Sequence, residues 1–599
     1  MQQIIEGIQP QENEASWRTA LDEHDDLKKF GVNAIGLFAL ALRFDLEDLE
    51  GVGVSSIVDG HSDKKNDLIF IDEEIGTAVI IQAYVSKSKK SIAPANKASD
   101  LNTAIAWLLT MPAETLPQGI KSHAIRIRDG INSGIINKLY VWYVHNCTES
   151  KNVADELEAV KHTLSSALAK HHKNTIVNQF VSEIGNSTLT EWYNETQSPI
   201  AVNEQIKFHC TDGFEVKTED WTAFITTISA RDLYTAYKNY SVKLFSANIR
   251  DYLGARSSQS NINNGIRQTI SETPKNFWVF NNGLTALTHR IEFDKEKKTI
   301  KAKGLAIVNG AQTTGAIGSM DEIPSENAMV PIRFVSVNNG DRDLIRDIVR
   351  YNNSQNQVTA ADFRSTDAIQ KRLRQQVSII KDAEYEGGRR GGFGSAIKRK
   401  PKLMPSFTVG QALAAFHGQP SIAYNKKSDI WNNDALYSEF FNEKTTGAHL
   451  VFVFSLLKSI ESNKSNLIEK SKSDVDLTNL EKQRLEFFRL PASIFVYVYA
   501  IASALETIIS RPISDYFTLS FGNQTAPKNA IKNWTPIISA TAPFTRLLAK
   551  SISEGLSKTS IEEGIQNFTQ QVEVASESQG VAFNRFLKQL RNPSSIKTA

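Results

Sequence analysis

The sequence predicts a multidomain α/β chain whose C-terminal region is helical, and three observations predict it. At 599 residues the chain exceeds what one hydrophobic core organises. Short β-branched runs alternate with helix-length amphipathic stretches before residue 421. Beyond it the pattern is mostly helical, with a polar connection over 462–474. The expected divisions are 1–175, an α/β domain; 176–420, an α+β core; and 421–599, mainly helical.

Each element has its own warrant. A helix is expected over 18–44, with an apolar face of Leu27, Ala34, Ile35, Phe38 and Leu42. Strands follow at 53–58, 67–71 and 77–85, then helices near 97–110 and 115–130, a strand at 139–145 and a helix at 152–170. The second block is strand-rich at 205–230, 277–290, 300–309 and 330–337, with helices near 231–246, 341–351 and 360–381.

Composition narrows the class. Apolar content of 41% and charged content of 22% suit a globular protein, and a net charge of +2 leaves nucleic-acid binding to local patches. The two cysteines, Cys147 and Cys210, form no CxxC pair, which argues against a disulfide framework or cysteine zinc site and fits a cytoplasmic protein. The N-terminus has no basic start followed by an apolar run, so no signal peptide is expected. The most membrane-like stretch, 490–505, falls short of the ~20 residues a span needs and reads as a buried helix. No membrane association is expected.

Candidate chemistry begins in the first block. Asp67 opens one expected strand and Gln82 lies near the end of the next, with Asp59 and Asp63 as auxiliary acids in the turn before them. An acid and an amide on adjoining strands is how a PD-(D/E)XK nuclease core holds Mg2+ or Mn2+, with a lysine two residues on to polarise the attacking water. Residue 84 is Tyr, which carries no positive charge; Lys87 is the surrogate candidate, although its strand parity is opposite. The same residues also suit a plain hairpin whose Asp caps a turn and whose Gln is a satisfied polar group.

Three amide-rich knots mark the second block: Asn281-Asn282-Gly283, Asn309-Gly310-Ala311-Gln312-Thr313 and Asn352-Asn353-Ser354-Gln355-Asn356. Asn tolerates tight left-handed turns and offers donors and acceptors without charge. The first knot reads as a hairpin turn. The second reads as strand, turn and helix start, where free N–H groups could receive a phosphate or carboxylate. The third joins two helices. Together they suggest one polar pocket, although each alone is explained as a turn or cap. Arg250 and Arg267 lie upstream, and downstream a glycine-rich stretch carries Arg389 and Arg390, followed by Lys398, Arg399, Lys400 and Lys402. Such charges bind phosphates without reading sequence, and a solvated loop has the same composition.

In this order, LFSANIRDYLG, NNGIRQTI, NFWVFNNGLTAL, IVNGAQTT and NNSQNQVTAADFRSTD resemble the AIPR family, the abortive-infection phage-resistance proteins of bacteria, over roughly residues 25–460. The resemblance implies antiphage defence, a central AIPR domain and an N-terminal restriction-endonuclease-like domain with a D…D…QxK pattern. In that pattern Asp67 matches the metal acid and Gln82 the amide, while Tyr84 departs from the lysine. Asn-Gly-x-Gln after a strand is also similar to the DGQHR pattern of ParB-like folds, which implies a nucleotide or a nucleic-acid end as ligand.

The leading expectation is a Mg2+- or Mn2+-dependent nuclease, acting on DNA before RNA, with a homodimer as one arrangement. Asp67, Gln82 and Lys87 would be catalytic. The central residues Asn281, Asn282, Asn309, Gln312, Thr313, Asn353 and Gln355 would line a ligand pocket, and Arg250, Arg267, Arg389 and Arg390 would contact phosphate. The alternative is a non-catalytic sensor or scaffold binding a nucleotide, nucleic acid or phage protein. A third reading places nucleotide turnover in the central pocket.

Overall fold

The computed structural model describes residues 16–591 apart from 45, 47, 59–62, 87–91, 173–175, 198–199, 201, 241–243, 246–259, 339–340, 342–343, 346, 350, 353–363, 365–366, 388–401, 473–475 and 554–555. Of the residues singled out above, Asp59, Lys87, Arg250, Asn353, Ser354, Gln355, Asn356, Arg389, Arg390, Lys398, Arg399 and Lys400 lie outside the described residues.

The first unit is a four-stranded sheet between two helical layers. Its elements are α1 (Ala34–Phe44), α2 (Leu49–Ser56), β1 (Leu68–Asp72), β2 (Thr77–Tyr84), α3 (Ala95–Ile105), α4 (Gln118–Asn132), β3 (Lys138–His145), α5 (Lys151–His171), β4 (Asn178–Ile184) and α6 (Asn186–Gln197). The strand order is β1-β2-β3-β4, with β1 antiparallel to β2 and β2, β3 and β4 mutually parallel. Every residue from Thr77 to Ala83 is buried, as expected of a strand covered on both faces. Alternation sends Val79, Ile81 and Trp142 toward α1 and α6, and Ile80, Val141 and Tyr143 toward α3, α4 and α5. Ser150 caps α5 by accepting from Val153 N at 3.3 Å. The sheet thus continues beyond residue 175, to Ile184.

Two expectations fail in this unit. The stretch 53–58 is not a strand: residues 49–56 form α2, and only Ile57 bridges to Leu68. Asp48 starts the helix by accepting from Gly51 N at 2.9 Å, and a Cβ on Gly53 would meet Phe30 at 2.6 Å. Capping and close packing therefore override the β propensity of Val52 and Val54. The helix expected over 18–44 is broken into Trp17–Asp22, Asp25–Lys28, a 3-10 turn at Gly31–Asn33, and α1.

The central unit comprises β5 (Val202–His209), β6 (Phe214–Lys217), β7 (Trp221–Ser229), α7 (Ala230–Tyr240), α8 (Ser260–Glu272), β8 (Leu284–Thr288), β9 (Arg290–Asp294), β10 (Thr299–Asn309), α9 (Ala311–Gly318) and β11 (Met329–Val337). The sheet runs β5-β10-β8-β11-β7-β6, with β9 also paired to β10. Among the described strands of this sheet only the β8–β11 pair is parallel. Phe277–Phe280, expected as a strand, is one helical turn after a 3-10 turn begun by Pro274. Of its four residues only Phe277 is buried, while Trp278, Val279 and Phe280 are exposed. With no sheet face to cover them, the apolar run does not become a strand.

The helical region contains α10 (Ala368–Ser378), α11 (Ser406–Phe416), α12 (Gly447–Lys472), α13 (Asn479–Arg489), α14 (Ser493–Ser503), α15 (Pro527–Thr541) and α16 (Lys558–Gln589). One apolar core joins them, from Leu373 in α10 to Phe586 in α16. The segment near 490–505 lies in this core: Val496, Tyr497, Val498, Ala500 and Ile501 are buried. Among the described residues no single helix is long and apolar enough to cross a membrane; α13 and α14 pass that test only as a pair bent by 111°.

The order of the units in sequence is not their order of contact. Asp48, at the start of α2, accepts from Lys458 of α12 and from Thr408 of α11. Lys427 pairs with Asp72 at 3.2 Å, and Ser122 of α4 donates to Arg489 O at 3.3 Å. The N-terminal unit is therefore docked on the helical region.

Candidate functional site

Asp67 and Gln82 meet. Gln82 Nε2 donates to Asp67 Oδ2 at 2.6 Å, and the Ala83 N–H donates to the same oxygen at 2.7 Å. Only the NH2 side of the amide can face a carboxylate, so the contact fixes its orientation. Gln82 is 3% exposed, and its Oε1 is buried with no hydrogen-bond partner. An orphaned buried oxygen beside a carboxylate is an unfilled acceptor, costly unless something occupies it.

The surroundings form a polar row across the carboxyl ends of the parallel strands, where open α/β sheets bind ligands. Gln82 pairs in register with Tyr143, and Tyr143 with Glu183; Tyr84 pairs with His145 one step further along. Residues opposite one another project from the same face. The Cys147 N–H donates to His145 Nδ1 at 3.3 Å, so the ring proton sits on Nε2 and is given to Glu183 Oε1 at 3.0 Å. Glu183 also accepts from Ser150 N, at the start of α5. Burial, then the charges of Tyr84, Cys147, Glu183 and Asp100, push the Tyr143 hydroxyl well above its usual pKa. Lys65, three residues before β1, pairs with that Asp100 at 3.3 Å.

Asp63 spends Oδ1 on the Lys65 N–H at 2.8 Å, a turn-forming bond. Tyr84 stands at the lysine position and is half-buried. Among the described residues no three His, Cys, Asp or Glu side chains are grouped to hold a metal ion. Of the oxygens at the strand ends, the Glu183 carboxylate is engaged by His145 and Ser150, which leaves the Asp67 carboxylate and Gln82 Oε1 as the adjoining donors. Mg2+ commonly takes one or two carboxylates and completes its shell with water and substrate phosphate, so this pair fits a weak site.

The central knots also converge. Asn281 Nδ2 donates to Thr313 Oγ1 at 3.0 Å, joining the first knot to the second, and Asn281 Oδ1 accepts from Gly283 N at 2.8 Å. Gly310 has φ +91°, and a Cβ there would lie 2.1 Å from Leu284 Cδ2, so the turn into α9 requires glycine. Thr285 is the register partner of both Asn309 and Arg333. The Arg333 guanidinium donates to Thr285 Oγ1 at 3.1 Å and to Asn352 Oδ1 at 2.8 Å, bringing in the third knot. Arg333 is exposed, and no carboxylate among the described residues forms an ion pair with it. Gln312 is half-buried and Asn282 exposed, while Arg267 donates to Ser319 Oγ at 2.7 Å, beyond the far end of α9.

Sequence reasoning missed Arg333, Thr285, His145 and Glu183. The signal for Arg333 was present: a lone cation at 333 in the apolar run Pro331–Val335. His145 and Glu183 carried none, since their partnership depends on which strands become neighbours.

Fold and site define a mixed α/β protein with polar sites at strand ends, built on a helical base. Residues 245–543 match the family model described as AIPR protein, and the match supports membership of the AIPR family. No curated protein and no solved structure gives a match.

Proposed function

We propose that the protein is an antiphage defence factor of the abortive-infection type, and that its N-terminal unit is a divalent-metal-dependent nuclease of the PD-(D/E)XK kind. The AIPR match supports the defence role. The observation that carries the nuclease reading is the contact of Asp67 with Gln82, beside which a buried amide oxygen lacks a partner. Asp67 and Gln82 Oε1 would hold Mg2+ or Mn2+. When bound, such an ion supplies positive charge at the scissile phosphate and acidifies its water. The Tyr84 hydroxyl, in place of the lysine, gives a neutral hydrogen-bond donor, so slow hydrolysis is expected. Arg333, with Asn281 and Asn309 nearby, would grip phosphate in the central unit.

The test is incubation of the purified chain with plasmid, linear DNA and RNA in Mg2+ or Mn2+. Metal-dependent cleavage abolished by Asp67→Ala is expected, with DNA cut before RNA. Cleavage that survives Asp67→Ala removes the site.

A second reading, a non-catalytic sensor, is favoured by the same contact. An Asp–Glu pair at this distance needs a cation or a proton, whereas the Gln82 amide donates to Asp67 without either. Calorimetric titration of the chain with Mg2+ and Mn2+ separates the two: heat lost on Asp67→Ala favours the nuclease, and no heat favours the sensor.

A further inference from the structure

A cleft of about 140 Å³ lies where α4 of the N-terminal unit meets α12, α13 and the start of α14. A single water occupies roughly 10–15 Å³ by this measure, so the space holds on the order of ten waters. Its polar lining is one-sided. His123, Arg126, Lys464 and Arg489 face it, and no Asp or Glu among the described residues lines it.

His123 is neutral, its pKa pushed down to about 4 by burial, so the cations are Arg126, Lys464 and Arg489, and the last two are largely uncompensated. Arg126 is held by Glu73, through Nε at 3.0 Å and Nη2 at 2.8 Å, and lies over the Tyr424 ring at 5.1 Å. Among the described residues, neither Lys464 nor the Arg489 guanidinium has a carboxylate within ion-pair distance. The nearest acids act from the sides, Glu461 on Lys464 and Glu486 on Arg489. Burial lowers Lys464 to about 8, so the site destabilises its own charge when empty.

Two further features bear on the occupant. The α14 helix begins at Ser493 after Ala492, which has φ +59° and supplies no side-chain cap; Ser493 N–H donates to Leu490 O, and Ile494 and Phe495, also in the first turn, line the cleft with no side-chain cap on their N–H groups. His123 Nε2 donates to Ser55 O at 3.1 Å and burial holds the ring neutral, so its buried, unpartnered Nδ1 is an acceptor suited to a ribose hydroxyl and not to the phosphate. The rest of the wall is largely apolar and aromatic, with Tyr424, Phe488 and Phe495.

We propose that this cleft binds a nucleoside monophosphate, its phosphate on Lys464, Arg489 and the start of α14 and its base against the aromatic wall. Phosphate supplies the missing negative charge, and charge-assisted hydrogen bonds are the strong ones. The assignment is independent of the nuclease reading, because none of these residues belongs to the Asp67–Gln82 site. Because the cleft spans two units, an occupant would tighten their docking.

The test is calorimetry and thermal unfolding of the full chain with AMP, ribose 5-phosphate, adenosine and inorganic phosphate. AMP is expected to bind saturably and raise the unfolding temperature, with the other three weaker. Lys464→Met and Arg489→Met, made separately, should each weaken AMP by roughly tenfold or more, as loss of a charged hydrogen bond does. Absence of saturable AMP binding overturns the proposal, as does unchanged affinity in both variants. Adenosine binding as tightly as AMP removes the phosphate assignment, and phosphate or ribose 5-phosphate binding as tightly removes the base.

Discussion

Lys458 Nζ lies 2.9 Å and 2.7 Å from the two carboxylate oxygens of Asp48, and 2.8 Å from Glu461 Oε2. Lys458 and Glu461 are each 8% exposed by side chain. Burial opposes the charge on Lys458, but Asp48 and Glu461 outweigh it and raise its pKa, while burial and then Asp48 help push Glu461 up to about 7. Removing the cation strands a buried carboxylate. Lys458→Met is therefore expected to cost about 3–5 kcal/mol in urea unfolding. Hydrogen exchange should quicken in α2, whose Asp48 loses its partner on α12.

A second prediction concerns pH. His449 Nδ1 donates to Leu519 O at 2.9 Å, so its Nε2 accepts from His417 Nε2 at 3.0 Å, and both rings are neutral. Burial pushes His417 down to about 2 and His449 to about 4. In the unfolded chain both titrate near 6.5, so the unfolded state takes up protons first. Their contribution is complete above about pH 6.5 and declines as pH falls, by about 2 kcal/mol per histidine at pH 5. Glu461 works in the opposite sense, since its raised pKa favours the folded state at lower pH. The histidine term is read by comparing wild type with His417→Asn, whose stability should fall less steeply between pH 7 and 5.

Gln82→Glu tests the metal site without relying on turnover. It places two carboxylates against each other where an amide now donates at 2.6 Å. In chelator the variant should melt several degrees below wild type, by roughly 2–4 °C per kcal/mol lost. Mg2+ should restore the loss, because the new oxygen is a hard anionic ligand. A melting temperature indifferent to Mg2+ argues for the sensor.

Arg333→Gln removes the exposed cation between Thr285 and Asn352. If the central pocket grips phosphate, nonspecific DNA affinity should fall and the salt slope of binding should shrink by about 1. Fluorescence anisotropy at several salt concentrations measures both. Gly310→Ala is a structural counterpart, expected to destabilise by about 1–3 kcal/mol through its left-handed φ and the clash with Leu284.

The sequence was most legible where pattern and packing agree. The run at Thr77–Tyr84 is apolar on both faces and became a central strand, and the period over Lys151–His171 became one helix. It misled where a tertiary contact decided the matter. Asp48 turned Val52 and Val54 into a helix by capping it, and Phe277–Phe280 had apolar side chains but no sheet to cover them. Asp67 and Gln82 were found because antiparallel neighbours in a short hairpin are close in sequence. Arg333 with Asn352, and His145 with Glu183, needed strand order and helix placement, which residue spacing does not encode.

The seam between Asp48 and Lys458 has a consequence for synthesis. The α2 end of the seam leaves the ribosome 410 residues before its counterpart. During that interval the first unit has a buried-type carboxylate still in water and a face awaiting its platform. Domains form as they emerge, and closing so long a loop comes late. Chains cut short before α12 thus lack the cover on this face, and only a polypeptide made through α14 can assemble the cleft at Lys464 and Arg489.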